Sequence, residues 1–233
     1  MRQDLDAALQ MGNVFSDEDE SQRWSQESKP LSQITHSFSG SERNHIFANE
    51  NGTAFYDLSG ISGLDSPSDG RVSVWLDYDR DGRSDLAVVN SNRPLLQLFH
   101  NRLGRSESNN HSLKLHLVGG NRTAAASASF GNRDGWGAKV QVRAGGLNLL
   151  REHVCGSGFS GRNSATMLVG IGSRNIADEV SVTWPSGRKQ TVKQVPTNQL
   201  VVLHENSEEC QSSAGYDTRP YTPASHSDSP DRT

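Results

Sequence analysis

The chain has 233 residues, enough for one or two domains, but only 33% of them are apolar and the mean hydropathy is −0.67. The formal net charge is −4 with no clustered Lys and Arg, which argues against a nucleic-acid or anionic-membrane partner. No run approaches the roughly 18 apolar residues needed to cross a bilayer, so no transmembrane segment is expected.

Taken in chain order, residues 1–35 form a polar arm with the acidic run Asp17-Glu18-Asp19-Glu20. Leu5, Ala8 and Leu9 could share one face of a short helix within it, and the rest is expected to be disordered. No basic-then-apolar signal peptide is visible after Met1. From residue 72 the pattern turns to short strands. Val72-Ser73-Val74-Trp75-Leu76 precedes an acidic stretch, and Leu86-Ala87-Val88-Val89 follows it. Residues 95–99 are another apolar run. Leu113, Leu115 and Leu117 alternate with Ser112, Lys114 and His116, a period of two. Val140 and Val142 share a face, and Val180, Val182 and Trp184 alternate before the turn Pro185-Ser186-Gly187. Residues 200–203 close the set. Residues 207–233, rich in Ser, Pro and Asp, read as a disordered tail. The 22 glycines suit tight turns, and the fold class expected is all-β.

The strongest motif is Asp77-Tyr78-Asp79-Arg80-Asp81-Gly82-Arg83-Ser84-Asp85. Carboxylates stand at positions one, three, five and nine, and Arg83 at position seven can offer its backbone carbonyl. A hard cation such as Ca2+ takes six to eight oxygens at about 2.3–2.6 Å. Without one, each like-charged pair at ~4 Å costs about 1 kcal/mol in water and about 4 at an effective dielectric of 20. The motif therefore predicts a metal site formed by Asp77, Asp79, Asp81, Arg83 and Asp85, with Ca2+ as the cofactor. It is not an EF-hand, because position twelve is Val88 and the flanks are strands. An acidic Asp-Gly hairpin turn in water is the plainer reading.

Asp-x-Asp-x-Asp-Gly-x-x-Asp between two strands resembles the calcium loop of FG-GAP/VCBS repeats, the blades of integrin-type β-propellers. Arg43-Asn44-His45-Ile46-Phe47-Ala48-Asn49-Glu50, continuing through Gly52-Thr53-Ala54-Phe55-Tyr56-Asp57, is similar to the strand pair of such repeats. The Leu96-Gln97-Leu98-Phe99-His100-Asn101 stretch looks like the start of the next. Downstream, five pieces in order resemble the ASPIC/UnbV domain: Ser112-Leu113-Lys114-Leu115-His116-Leu117-Val118-Gly119, Asn132-Arg133-Asp134-Gly135-Trp136-Gly137, Arg151-Glu152 with Gly156-Ser157-Gly158-Phe159-Ser160, Val182-Thr183-Trp184-Pro185-Ser186-Gly187-Arg188, and Val195-Pro196-Thr197-Asn198-Gln199. Asn121 to Phe130 departs from that pattern and is expected to be a looped insertion. The resemblance divides the chain into the arm at 1–35, a single blade at 36–103, a sandwich-like or barrel-like ASPIC/UnbV domain at 104–206, and the tail at 207–233. It implies a secreted or cell-envelope, non-enzymatic protein of binding or adhesion, with a protein or glycan ligand. Further propeller blades would be encoded upstream. A glycan-active enzyme or accessory module, or a truncated gene fragment, is the alternative.

Other motifs carry less. Gly156-Ser157-Gly158-Phe159-Ser160-Gly161 matches GxGxxG, but no helical period follows, so it reads as a loop between strands rather than a dinucleotide site. No nucleophile–base arrangement stands out, so no catalytic residue is assigned. His111 and His116 lie on a strand without a third ligand. Asn51, Asn110 and Asn121 open glycosylation sequons. Arg188 either meets a carboxylate or faces water, and the sequence leaves open whether Cys155 and Cys210 pair, as would suit an exported protein, or stay free thiols.

Overall fold

The computed structural model describes residues 42–50, 52–102 and 109–222. The polar arm, the short helix expected in it and the last residues of the tail lie outside them. The described chain is all-β, with one short helical turn, and its strands fall into four sheets.

A hairpin of β1 (Phe47–Glu50) and β2 (Ala54–Asp57) comes first, followed by the turn α1 (Ser59–Ser62). A three-stranded antiparallel sheet then forms from β3 (Gly70–Leu76), β4 (Asp85–Asn90) and β5 (Leu96–Phe99) in that order. Its register aligns Trp75, Leu86 and Phe99 on one face, and Val72, Val89 and Leu96 on the other, where Val74, Ala87 and Leu98 also align. Neither face is fully covered: Trp75 keeps 44% of its surface exposed and Leu96 63%. Polar bonds hold the far end. Asn90 Nδ2 donates to Pro94 O at 2.6 Å and Gln97 Oε1 at 3.0 Å, and buried Asp69 takes a 2.6 Å bond from Arg71.

The remainder is a sandwich of two four-stranded sheets. β6 (His111–Val118), β7 (Lys139–Ala144), β8 (Leu147–Glu152), β9 (Thr166–Gly172), β10 (Ile176–Thr183), β11 (Lys189–Pro196), β12 (Gln199–His204) and β13 (Asp217–Pro220) arrange as β11-β10-β7-β8 and β13-β12-β6-β9. Leu113, Leu115, Leu117, Val169, Ile171, Val201 and Leu203 from one sheet meet Val140, Val142, Val180, Val182 and Val195 from the other in one core, every one of them at most 1% exposed. Among the described residues the sheets do not close, so of the two architectures expected, a sandwich is found and a barrel is not. Inward parity shifts on both members of one pair, Ala177 then Val180 and Val192 then Val195, where Gln194 adopts φ 54°. The paired shift keeps both strands facing the core.

One buried carboxylate ties the loops of the sandwich together. Glu205 accepts N–H bonds from Gly120 at 2.9 Å and Gly131 at 2.8 Å, and the hydroxyl of Ser186. The Asn121 to Phe130 segment is a loop, as expected, and is held at both ends by this group and by the Asn121–Asn132 bridge. Trp184 is buried at 2% exposure on the core. Arg188 does not meet a carboxylate among the described residues; its guanidinium lies 4.9 Å from the Phe130 ring centre. Trp136 stacks on buried His153 at 4.1 Å, and the Arg162 guanidinium lies 4.7 Å from its ring centre. Cys155 and Cys210 are free thiols. The glycine-rich stretch at 156–161 is a loop between β8 and β9 with no helix after it.

The reading of residues 207–233 as a disordered tail needs correction over its first part. A 3-10 turn at Ser207–Glu209 leads to β13, which pairs with β12 through Gln199↔Pro220 to Val202↔Asp217. Asp217 anchors the return by accepting N–H bonds from Gln211 at 3.0 Å and Ser212 at 3.1 Å. Composition missed this because an edge strand satisfies its backbone without an apolar face.

Candidate metal centre

The acidic segment is the connection between β3 and β4. It must reverse the chain while turning successive carboxylates inward, and two residues with left-handed backbone make that possible: Arg80 at φ 60° and Gly82 at φ 86°. Backbone N–H groups then fix the carboxylates. Asp81 N–H donates to Asp77 Oδ1 at 3.0 Å, Gly82 N–H to Asp77 Oδ2 at 2.9 Å, and Arg83 N–H to Asp81 Oδ1 at 2.9 Å. Asp85, 1% exposed, accepts from Tyr78 N–H at 3.2 Å and Asn101 N–H at 2.8 Å.

The predicted residues are not all brought to one point. Asp77, Asp79 and Asp85 each present an oxygen within 4.8 Å of the other two. Asp81 instead groups with Asp79 and His100, whose Nε2 lies 3.1 Å from Asp79 Oδ2 and 3.6 Å from Asp81 Oδ2. The Arg83 guanidinium binds Asp81 directly and donates through Nε to Asn101 O at 3.0 Å. Arg83, singled out for its backbone carbonyl, thus also supplies a positive charge inside the loop. The donor set of Asp77, Asp79 and Asp85 is all carboxylate oxygen, which fits a hard cation better than a thiophilic one.

The sandwich completes the surroundings, and this the sequence did not disclose. The hydroxyl of Tyr221, just past β13, donates to Asp77 Oδ2 at 3.0 Å. Lys114, on β6, lies 5.2 Å from the Tyr221 ring centre, and its ammonium bonds Ser112 Oγ at 3.3 Å. Ser112 in turn donates to Gly82 O at 3.3 Å. Elsewhere, β3's outer edge is met by the β8–β9 loop: Ser164 N–H donates to Trp75 O at 3.0 Å, and Trp75 N–H to Asn163 Oδ1 at 2.9 Å.

The electrostatics are those of negative charge held partly out of water. Burial raises the Asp77 carboxyl above its ordinary range and the Asp81 charge pushes the same way, against the bonds from Tyr221 and the loop amides. Burial and the Asp77 charge raise the Tyr221 phenol strongly, so it stays a donor. Burial lowers the Lys114 ammonium, while the charges of Asp77 and Asp81 pull it back up.

Residues 129–209 match the family model described as ASPIC and UnbV. The chain therefore carries an ASPIC/UnbV domain, spanning β7 to β12 and the 3-10 turn. The β6 strand precedes the match but contributes Leu113, Leu115 and Leu117 to the same core. A search of curated proteins found no match to the chain.

Proposed function

We propose that the chain is a non-enzymatic, calcium-braced binding protein of the exported FG-GAP/ASPIC-UnbV type. The observation that carries the reading is the approach of Asp77, Asp79 and Asp85 to within 4.8 Å on a strand-to-strand loop whose backbone is curled to hold them. The resemblance of the β1–β2 pair and the β3–loop–β4 hairpin to FG-GAP/VCBS repeats supports it. Ca2+ supplies the positive charge that lets these carboxylates stay ionised side by side. Its role is structural: it braces the N-terminal blade against the ASPIC/UnbV sandwich, which presents its surface to a protein or glycan ligand outside the cell or in its envelope. The non-enzymatic part of the reading rests on the absence of a nucleophile–base motif in the sequence.

Calorimetric titration of the full chain with Ca2+, paired with thermal melts in Ca2+ and in EDTA, tests this. A cation that binds only the folded state adds about 2.7 kcal/mol at a hundredfold excess over Kd. Asp79→Asn is expected to abolish most of that gain. A melt unchanged by EDTA, with no heat of binding, overturns the calcium reading. A carbohydrate screen read for both binding and turnover tests the rest: binding without turnover supports a module, and turnover overturns it.

A further inference from the structure

We infer that Lys114 is a resident cation for the acidic loop, supplied by the sandwich, and that it competes with the metal and weakens the loop's affinity for it. The inference rests on the reading of the loop as a metal site and goes further, to what sets the strength of that site.

The strand geometry places the lysine there. Leu113, Leu115 and Leu117 point into the sandwich core at 1% exposure or less, so the alternate residues Ser112, Lys114 and His116 face outward. On an isolated sandwich that face would meet water, the usual setting for a lysine. Here the acidic loop covers it, and Lys114 is only 4% exposed. A Cβ added at Gly82 would stand 3.1 Å from Lys114 Nζ, so the ammonium lies against the loop's tightest turn. Among the described residues it bonds Ser112 Oγ and makes no ion pair.

A buried ammonium without a directly bonded counter-ion is costly. The charges that offset it are those of Asp77 and Asp81. The lysine and the loop thus solve the same problem for each other: one is positive charge out of water, the other negative. A divalent cation arriving between the carboxylates takes away part of what stabilises the lysine and repels it. Affinity is lower by that amount, and docking of the loop on β6 persists without metal.

Calorimetric Ca2+ titration of the full chain tests this in wild type, Lys114→Met, Lys114→Gln and Lys114→Arg, with folding checked by circular dichroism. The neutral Met and Gln variants are expected to bind Ca2+ about tenfold or more tightly, a change of about 1.4 kcal/mol. The charge-retaining Arg variant is expected to stay near wild type. Gln, which can still bond Ser112, serves if the Met variant does not fold. Binding in the neutral variants but not in wild type also supports the inference. Equal affinity in all four chains, or weaker binding in the neutral pair, overturns it while leaving the loop a calcium site. Absence of binding in all four overturns both.

Discussion

The two halves of the molecule are held by different forces. The sandwich buries its inward-facing apolar residues completely: Leu115, Val140, Val142, Val180 and Leu203 are all at 0% exposure. In the β3–β5 sheet Val88 is the one apolar residue classed as buried among those described, at 6%, while Leu96 and Leu98 remain at least half exposed. What is buried there is polar: Asp69, Asp85 and Asn90. The same all-β vocabulary therefore yields one unit stabilised by the hydrophobic effect and another that depends on hydrogen bonds, charge and the support of its neighbour. The second kind of unit is the one on which the proposed cation would act.

Core truncation probes the contrast most strongly. Leu115→Ala should cost about 2–5 kcal/mol in a denaturant melt, as for fully buried leucines, whereas Leu98→Ala on the exposed face should cost well under 1. Equal costs would break the comparison. The next effect is one of pH and belongs to the sandwich. Burial lowers the histidines His153 and His116 below their ordinary 6.5. The unfolded chain then takes up protons first as pH falls below about 6.5, so stability declines on acidification, by at most about 1.4 kcal/mol per pH unit per histidine. Denaturant midpoints between pH 7.5 and 5.5 should show this, with a shallower slope in His153→Gln; a flat profile would contradict it. The smallest effect sharpens the boundary between the halves. Tyr221→Phe removes the bond to Asp77 and should cost about 1 kcal/mol. Hydrogen exchange should place the loss in the loop rather than in the sandwich core; a loss spread through β6 and β12 would show that the halves melt as one.

Much of this was legible in the chain. Alternation at Leu113, Leu115 and Leu117 and at Val180 and Val182 marked inward faces, and the spacing from Asp77 to Asp85 marked the loop. The strands missed were those whose patterns are blurred. β9 carries Gly170 and Gly172, which read as turn residues, and β8 leaves Leu150 at 66% exposure on an edge. β13 is three polar residues and a proline, paired on one side. Lys114, His100, Asn101 and Tyr221 could not be assigned to the site at all. Each reaches the acidic loop through tertiary packing, and a lysine alternating with leucines looks the same whether it meets water or the tight turn of an acidic loop.

The parallel pairing of β6 with β12 also has a consequence in time. Leu115 is aligned with Val201, so more than a third of the chain must be made between one strand and its partner. Until residue 204 has left the ribosome, the strand that carries Lys114 lacks its parallel partner, and the return strand that brings Tyr221 to Asp77 comes later still. Such distant pairings form late because a long loop must close first. The hydrogen bond from Tyr221 to Asp77 is therefore among the last contacts of the acidic loop to form, long after Asp85 has taken its bonds from Tyr78 and Asn101.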